Sequence, residues 1–233
     1  MPSWDFSIES ILLTLVKILA LLIAIIGHEI MHGYSALLFG DTSAKDAKRL
    51  SLNPIRHLDM MGSVLLPALL LIFQAPFLFG WAKPVPIDIR HIVLKKGALA
   101  CVVVSLAGVM YNFILAVVLA LIAHFVFQSF GVVNLGLENL KLWQLILVTF
   151  LAQGMLYNII LGIFNSLPIP PLDGSKALGF LALHFGNTSI LAWFSKMERY
   201  SMLVVFLFLF IPQLSEFFIH APTRFLFSFL LSW

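Results

Sequence analysis

Long segments without a charged side chain dominate the pattern of this chain. No Asp, Glu, Lys or Arg occurs in residues 60–82, 97–137 or 142–172, and the apolar segment 6–39 contains few of them. Each of these segments exceeds the roughly 20 residues that a membrane-spanning helix needs. We therefore predict an all-α integral membrane protein, a polytopic helix bundle with four or more spanning helices.

The limits of the apolar segments set the predicted helices. Residues 61–79 carry basic residues on both flanks, so we predict a re-entrant segment there instead of a crossing. Pro212 is expected to kink the last helix, because proline cannot donate a helical hydrogen bond. The predicted spanning helices cover residues 6–39, 97–127, 142–165 and about 200–219.

Composition strengthens this interpretation. The 233 residues are 61% hydrophobic and 11% charged, with a mean hydropathy of +1.03, whereas a soluble domain has about 25% charged residues. The net charge of +3 is small and does not indicate a nucleic-acid partner. No repeat or linker divides the sequence, so we predict one membrane-embedded domain over residues 1–233. Its core would cover about residues 7–180, followed by C-terminal helices in 185–233.

The placement of the basic residues predicts the orientation in the membrane. Eight of the 14 Lys and Arg residues lie between Gly40 and Gly97. Loops rich in Lys and Arg stay on the cytoplasmic side of a membrane. We therefore expect a multi-pass protein of the cell inner membrane whose first helix runs from outside to inside.

His28, Glu29 and His32 form a His-Glu-x-x-His motif inside the first predicted helix. Four residues advance a helix by roughly 400°, so both imidazoles fall on one face, about 6 Å apart along the axis. This spacing suits two ligands of one zinc ion, and Glu29 can then accept a proton from a water that the zinc activates. The alternative is a chance match or a polar pair satisfied by neighbouring helices, which is costly in a charge-poor membrane helix.

A catalytic zinc site needs a third protein ligand, and Asp173 is the best candidate. It lies in NSLPIPPLDGSKAL, directly after the inward end of the predicted helix 142–165. If residues 61–79 do not cross the membrane, Asp173 and the two histidines lie on the same side. The alternative role for Asp173 is a helix N-cap. The other candidates for the third ligand are acidic residues without a motif: Glu138, Glu198 and Glu216.

The His-Glu-x-x-His motif followed by NSLPIPPLDG at residues 165–174 resembles the site-2 protease family, intramembrane zinc metalloproteases that cut transmembrane substrates. The segments SLNPIRHLDMMGSVLLP (51–67), GWAKPVPID (80–88) and SLAGVMYNF (105–113) resemble the intervening motifs of that family. The resemblance covers about residues 20–180 and implies a minimal prokaryotic member without a PDZ or CBS domain. Val109 departs from the family pattern, which often has proline there.

The resemblance implies a role for each matching residue. Asn165 would donate a hydrogen bond to the substrate backbone or to the developing oxyanion, and its alternative role is a helix C-cap. Asn112 would support the site through a hydrogen bond between helices, or would serve only in helix packing. The implied zinc ligands, followed by the general base that later acts as general acid, are His28, His32, Asp173 and Glu29.

Residues 84–89 carry the pattern of an extended segment. Pro84 and Pro86 disfavour helix, and Trp81 and Lys83 suit the membrane interface. A helical substrate hides its carbonyl groups, so its cleavage requires an extended backbone that a neighbouring strand can hold. We therefore predict a short edge strand at residues 84–89 that pairs with an unwound substrate.

Together these patterns predict a zinc-dependent intramembrane endopeptidase. It would hydrolyse a peptide bond within or near a transmembrane segment of a substrate protein embedded in the lipid bilayer, with the active site toward the cytoplasm. Two other functions could use the same His and Asp residues, a metal transporter and an inactive membrane scaffold. A transporter usually carries acids or histidines on several membrane helices, whereas here they concentrate at one site. An intact Glu29 argues against the scaffold.

Overall fold

The computed structural model describes residues 7–65, 68, 69, 72, 82–131 and 136–232. Helices make up most of these residues, and no strand occurs among them. In chain order the α-helices are α1 (Ile8–Leu38), α2 (Ser43–Asp46), α3 (Ile89–Lys96), α4 (Ala98–Phe130), α5 (Leu142–Ser166), α6 (Asp173–His184), α7 (Thr188–Met197), α8 (Ser201–Phe210), α9 (Pro212–Ser215) and α10 (Ala221–Leu231).

Three of these helices, α1, α4 and α5, are long and apolar enough to cross a membrane. Their ends lie within three residues of the ends expected from the apolar segments. The all-helical fold and these three helices are therefore confirmed. The described part of the chain does not support the prediction of four or more spans.

α1 is longer than a membrane is thick. Its 31 residues extend about 46 Å at 1.5 Å per residue, against roughly 30 Å of hydrocarbon. The side chain of Ser7 caps its start by accepting a hydrogen bond from the backbone N–H of Ser10 at 3.2 Å. Its buried residues begin at Ala20 and end at Ala36. The His-Glu-x-x-His motif therefore lies in the half of α1 that packs inside the bundle.

Two apolar clusters hold the helices together. The first anchors α10 to α4 and α5, and the second anchors α3 and α6 beside the C-terminal end of α1 and the start of α4. The first contains Ala116, Leu119, Ala120, Ala123, Leu151, Met155, Ile159 and Leu230. The second contains Ala36, Ile92, Ala100, Cys101, Val104 and Phe180.

The prediction of one helix at about residues 200–219, kinked at Pro212, is wrong. α8 ends at Phe210, Ile211 has an extended backbone with φ −87° and ψ 105°, and α9 begins at Pro212. Proline disfavours helical backbone at the residue before it and lacks an N–H of its own, so the helix stops at Ile211 instead of bending. A π-helical stretch, Glu216–His220, then joins α9 to α10.

Most of the predicted re-entrant segment, residues 61–79, lies outside the described residues. The described part begins with a π-helical stretch, Met60–Leu65. The Asp59 carboxylate accepts hydrogen bonds from the backbone N–H groups of Met61 and Gly62, at 3.0 and 2.8 Å. These bonds fix the start of the segment, and the re-entrant path itself stays a prediction.

Residues 82–88 form neither helix nor strand, so the structure does not support the predicted edge strand at 84–89. The backbone N–H of Lys83 donates to the carbonyl of His57 at 2.9 Å instead of joining a ladder. Pro84 and Pro86 have no N–H group to offer a neighbouring strand. We call residues 82–88 the covering segment, because they lie over the motif in α1, as the contacts below show.

The Asp41 carboxylate fixes the other end of the covering segment. It accepts the backbone N–H of Asp88 at 2.7 Å and that of Ser43 at 2.9 Å. Burial alone raises the pKa of the Asp41 carboxyl, but the hydrogen bonds from Ser43 and Asp88 outweigh it and hold the pKa below its ordinary value. Asp41 is therefore ionised near neutral pH, and the covering segment is attached at both ends to the loop after α1.

α6 begins in close contact with the C-terminal end of α5. A Cβ atom on Gly174 would overlap the carbonyl oxygen of Ser166, the last residue of α5. Glycine is required here because the obstacle is backbone, which cannot rotate aside. Leu172 is the N-cap of α6 and Asp173 is its first helical residue, so the N-cap role considered for Asp173 is wrong. The contact between α5 and α6 fixes where Asp173 can lie.

We expect Gly174→Ala to destabilise the junction of α5 and α6. Overpacking against a rigid neighbour costs about 1–3 kcal/mol, so the melting temperature of the purified protein should fall by several degrees. Leu178→Ala, at an exposed position of α6, is the matched control and should melt close to the wild type. Equal melting temperatures for the Gly174 variant and the wild type would contradict the close contact.

Candidate active site

The two histidines of the motif face the same buried space. His28 and His32 are separated by four residues of α1, and their Nε2 atoms lie 3.1 Å apart. Both side chains are buried, and their rings meet edge to face with centroids 4.7 Å apart. One turn of helix therefore presents two ring nitrogens to one point, as the spacing predicts.

Asp173 brings a carboxylate oxygen to the same point from a distant part of the chain. Its Oδ2 atom lies 3.0 Å from Nε2 of His28 and 3.1 Å from Nε2 of His32. The other oxygen, Oδ1, faces the ammonium group of Lys176 at 3.2 Å. The structure thus brings together the three residues that the sequence nominated as metal ligands.

The hydrogen-bond partner of His32 determines which ring nitrogen carries the proton. Its Nδ1 atom lies 2.7 Å from the backbone carbonyl of Val104 on α4. A carbonyl oxygen can only accept, so Nδ1 must be the protonated nitrogen. The lone pair of Nε2 therefore points toward His28 and Asp173.

His28 is held in the same tautomer by Asn112 on α4. Its Nδ1 atom lies 2.6 Å from Oδ1 of Asn112, whose Nδ2 donates to the carbonyl of Ala24 at 3.2 Å and to Oδ1 of Asn158 at 2.8 Å. Because the Ala24 carbonyl only accepts, the Asn112 amide cannot be reversed, and its oxygen faces the ring. Asn112 thus lies where a supporting residue is predicted, whereas no motif in the sequence indicates Asn158.

The three facing atoms fit a bound cation. Each is electron-rich, and without a shared positive charge three such atoms at 3.0–3.1 Å would repel one another. A tetrahedral zinc ion with bonds of about 2.0–2.1 Å requires ligand atoms roughly 3.3 Å apart, close to the observed triangle. Two imidazole nitrogens and one carboxylate oxygen are also the donor types that zinc enzymes use. The geometry and the chemistry of the three residues therefore fit zinc.

No second metal group competes with this one in the described ranges. His28, His32 and Asp173 are the single set of three or more His, Cys, Asp or Glu residues placed there to share an ion. Two of the acidic residues weighed as other third ligands, Glu198 and Glu216, do not join it, and the side chain of the third, Glu138, lies outside what the structure describes. The concentration of ligands at one point argues against a transport path lined with several sites.

Gly108 makes room for the two imidazoles. A Cβ atom at this position of α4 would lie 2.5 Å from Nε2 of His32 and 2.6 Å from Cε1 of His28. Glycine inside a helix costs about 1 kcal/mol relative to alanine, so its presence here has a steric reason. Gly108 lies within SLAGVMYNF, but its role could not be predicted from the sequence, because the contact arises only when α1 and α4 pack.

Glu29 lies beside the three ligands and is held separately. Its Oε2 atom accepts the backbone N–H of Val85, in the covering segment, at 3.0 Å. The side chain of Val85 is buried, and its Cγ1 atom lies against Gly33 of α1. The carboxylate of Glu29 is therefore fixed by a backbone amide, and it is not one of the atoms that face the cation site.

Asn165 does not join the cluster in this conformation. It is half-buried near the end of α5, and its Nδ2 donates to the carbonyl of Leu161 in the same helix at 3.1 Å. The helix continues to Ser166 with Leu167 as its C-cap, so Asn165 is not the cap. Its contact with substrate stays a prediction.

The comparisons with known proteins agree with a metal-dependent hydrolase. The chain is 36% identical over 203 residues to the Bacillus subtilis (strain 168) protein named "Putative zinc metalloprotease YwhC". The aligned residues make up 86% of this chain and 82% of the Bacillus protein. No family model matches the chain, and no solved structure matches it significantly.

Removal of the Asp173 carboxylate should empty the metal site. We expect about one zinc ion per chain in the purified wild type and much less in Asp173→Ala, because two imidazoles alone leave the ion without its third ligand. Elemental analysis of the protein in detergent measures this directly. Lys176→Ala is the control and should keep its zinc, since Lys176 contacts the other carboxylate oxygen. Equal zinc in the wild type and Asp173→Ala would exclude Asp173 as a ligand.

Proposed function

The chain belongs to the family of zinc metalloproteases that includes YwhC of Bacillus subtilis, and from this premise we propose that it is an intramembrane endopeptidase of the site-2 protease type. It hydrolyses a peptide bond within or near a transmembrane segment of a substrate protein. The observation that carries the proposal is the triangle of Nε2, Nε2 and Oδ2 atoms at 3.0–3.1 Å inside a bundle of three apolar helices.

The depth of the site supports cleavage at or below the membrane surface. His28 and His32 precede Leu38, the last residue of α1, by ten and six residues, which is about 15 and 9 Å along the helix. Both are buried among α1, α4 and α6, away from the ends of the long helices. A substrate reaches such a site from within the bilayer or from its edge.

Charge placement supports a cytoplasmic orientation of the site. The chain between α1 and α4 is rich in Lys and Arg, as the sequence shows, which indicates the cytoplasmic side. The C-terminal end of α1, with the motif, then lies nearer the cytoplasm. The protein is proposed to be a multi-pass protein of the cell inner membrane, with transmembrane proteins as its substrates.

The side chains divide the chemistry between them. His28, His32 and Asp173 would hold zinc, which would supply a Lewis acid that makes water nucleophilic near neutral pH. Glu29 follows His28 in α1, turned about 100° around the helix axis, and accepts the proton of the attacking water. It then donates this proton to the leaving amine. Asn165, once released from Leu161, donates its amide N–H to the substrate oxygen as negative charge develops there.

Glu29→Gln should stop proteolysis and leave zinc bound. The amide keeps the shape of the side chain but cannot accept a proton, and loss of a general base costs roughly 100-fold or more in rate. Mass spectrometry of new peptide termini in membranes measures this in cells that express the wild type or the variant.

We expect termini within or beside transmembrane segments with the wild type and their loss with Glu29→Gln. Zinc content, measured in parallel, should stay at about one per chain. Such termini persisting in Glu29→Gln would exclude Glu29 as the base. Their absence from the wild type, with zinc bound, would favour an inactive scaffold.

Val85→Pro should lower proteolysis without loss of zinc. The substitution removes the N–H that holds Oε2 of Glu29, and a hydrogen bond to a charged group contributes about 1.5–3 kcal/mol. The rate should therefore fall by about 10- to 100-fold, measured as the yield of the same peptide termini.

Comparing Val85→Pro with Ile87→Pro distinguishes two roles of the covering segment, holding Glu29 through the Val85 N–H and pairing with the substrate as a strand. Binding of substrate to an edge strand at residues 84–89 requires both backbone positions, so both proline variants would then lose activity alike. The contact with Glu29 predicts that Val85→Pro is the more damaging of the two. Zinc content and melting temperature, measured for both, show whether either variant is misfolded.

A further inference from the structure

A chain of side-chain amides connects the cation site to a helix that supplies none of its ligands. Nδ1 of His28 on α1 donates to Oδ1 of Asn112 on α4 at 2.6 Å, and Nδ2 of Asn112 donates to Oδ1 of Asn158 on α5 at 2.8 Å. Asn112 is 0% exposed and Asn158 is 1% exposed. Three long helices thus share one buried line of hydrogen bonds that ends at a metal ligand.

Backbone carbonyls fix the direction of every bond in this line. Nδ2 of Asn158 donates to the carbonyl of Gly154 at 2.7 Å, and Nδ2 of Asn112 also donates to the carbonyl of Ala24 at 3.2 Å. A carbonyl can only accept, so neither amide can turn over without placing oxygen against oxygen. The Asn158 oxygen and the Ala24 carbonyl therefore hold Asn112 in the same orientation, and this orientation determines the tautomer of His28.

The side-chain hydrogen bonds of Asn158 go to Asn112 and to the Gly154 carbonyl and not to a ligand atom, and helix packing alone leaves this geometry unexplained. A polar side chain in an apolar helix can serve only to hold neighbouring helices together through hydrogen bonds. Here its oxygen is aimed at the amide that holds His28, and its own N–H is used within α5. The bond partners of a ligating histidine set the orientation and basicity of its ring, and their loss typically costs 10- to 100-fold in metal affinity.

We propose that Asn158 is a positioning residue of the zinc site, acting through Asn112 to hold His28 with its Nε2 lone pair toward the ion. The proposal rests on the proposed function for the identity of the metal. The proposal gives α5 a part in metal binding, although α5 ends before the segment that leads to Asp173 and supplies no ligand itself. Loss of Asn158 would leave all three ligands in place and weaken the affinity for zinc.

The test is a double-substitution cycle with zinc affinity as the readout. Competition against a chromophoric chelator, with purified protein in detergent, gives the dissociation constant for zinc. We expect a loss of about 30-fold for Asn112→Leu and about 10-fold for Asn158→Leu. If Asn158 acts through Asn112, the double variant should bind zinc within about twofold of Asn112→Leu alone, because the two effects are not additive.

A conservative variant and a matched control separate positioning from general damage. In Asn158→Asp, a carboxyl group kept neutral by burial can accept from Asn112 and donate to the Gly154 carbonyl, so zinc affinity should return to near that of the wild type. Gln153→Leu removes another amide from α5, at a half-buried position outside the line of bonds. It should leave zinc affinity unchanged.

Three outcomes would overturn the proposal: wild-type affinity in Asn158→Leu, losses that add in the double variant, or an equal loss in Gln153→Leu. Should Asn158→Leu fail to fold, weak zinc binding by a folded Asn158→Asp would also overturn it. These results leave the proposed function standing if the wild type binds zinc and Glu29→Gln stops cleavage. A wild type without zinc would refute both, and a proteolytically silent wild type with the expected cycle would refute the proposed function alone.

Discussion

The meeting of three acceptor atoms inside an apolar bundle is the constraint on which the rest of this structure depends. Nε2 of His28, Nε2 of His32 and Oδ2 of Asp173 lie 3.0–3.1 Å apart, with both imidazole protons used on the far sides of the rings. Burying such atoms together is unfavourable unless a cation is shared among them. Several residues of the surrounding helices bring these three atoms together and keep them oriented.

Those conditions explain where the bundle departs from simple apolar packing. α4 carries Gly108 against the imidazoles, since any larger side chain would occupy their space. The same helix supplies the Val104 carbonyl and the Asn112 amide that hold the two rings. At the other side of the site, Gly174 lets α6 start directly against α5, and this places Asp173. Each glycine is less favourable than alanine inside a helix, and this cost is offset by the close packing that the glycine permits at the cation site.

Much of this arrangement could be predicted from the sequence, and the missing parts share a physical cause. The apolar segments gave α1, α4 and α5 because length and charge are local properties. The spacing of the His-Glu-x-x-His motif and the resemblance of NSLPIPPLDG to a known family predict His28, His32 and Asp173 as metal ligands. The roles of Gly108, Asn158 and the bond from Val85 to Glu29 could not be predicted, because each depends on how segments 46–84 positions apart pack against one another. The break at Ile211 was underestimated as a kink, although Pro212 was visible.

The three metal-ligand candidates and the proposed general base are held by different kinds of structure, and this division bears on the proposed mechanism. The two histidines sit on the long helix α1 and Asp173 at the start of α6, and the many buried side chains of these helices make the three positions resist local change. Glu29 is fixed through one backbone bond to the covering segment, which is attached at both ends to the loop after α1. Movement of that segment would therefore shift Glu29, the proposed proton acceptor, while the three proposed metal ligands remain in place.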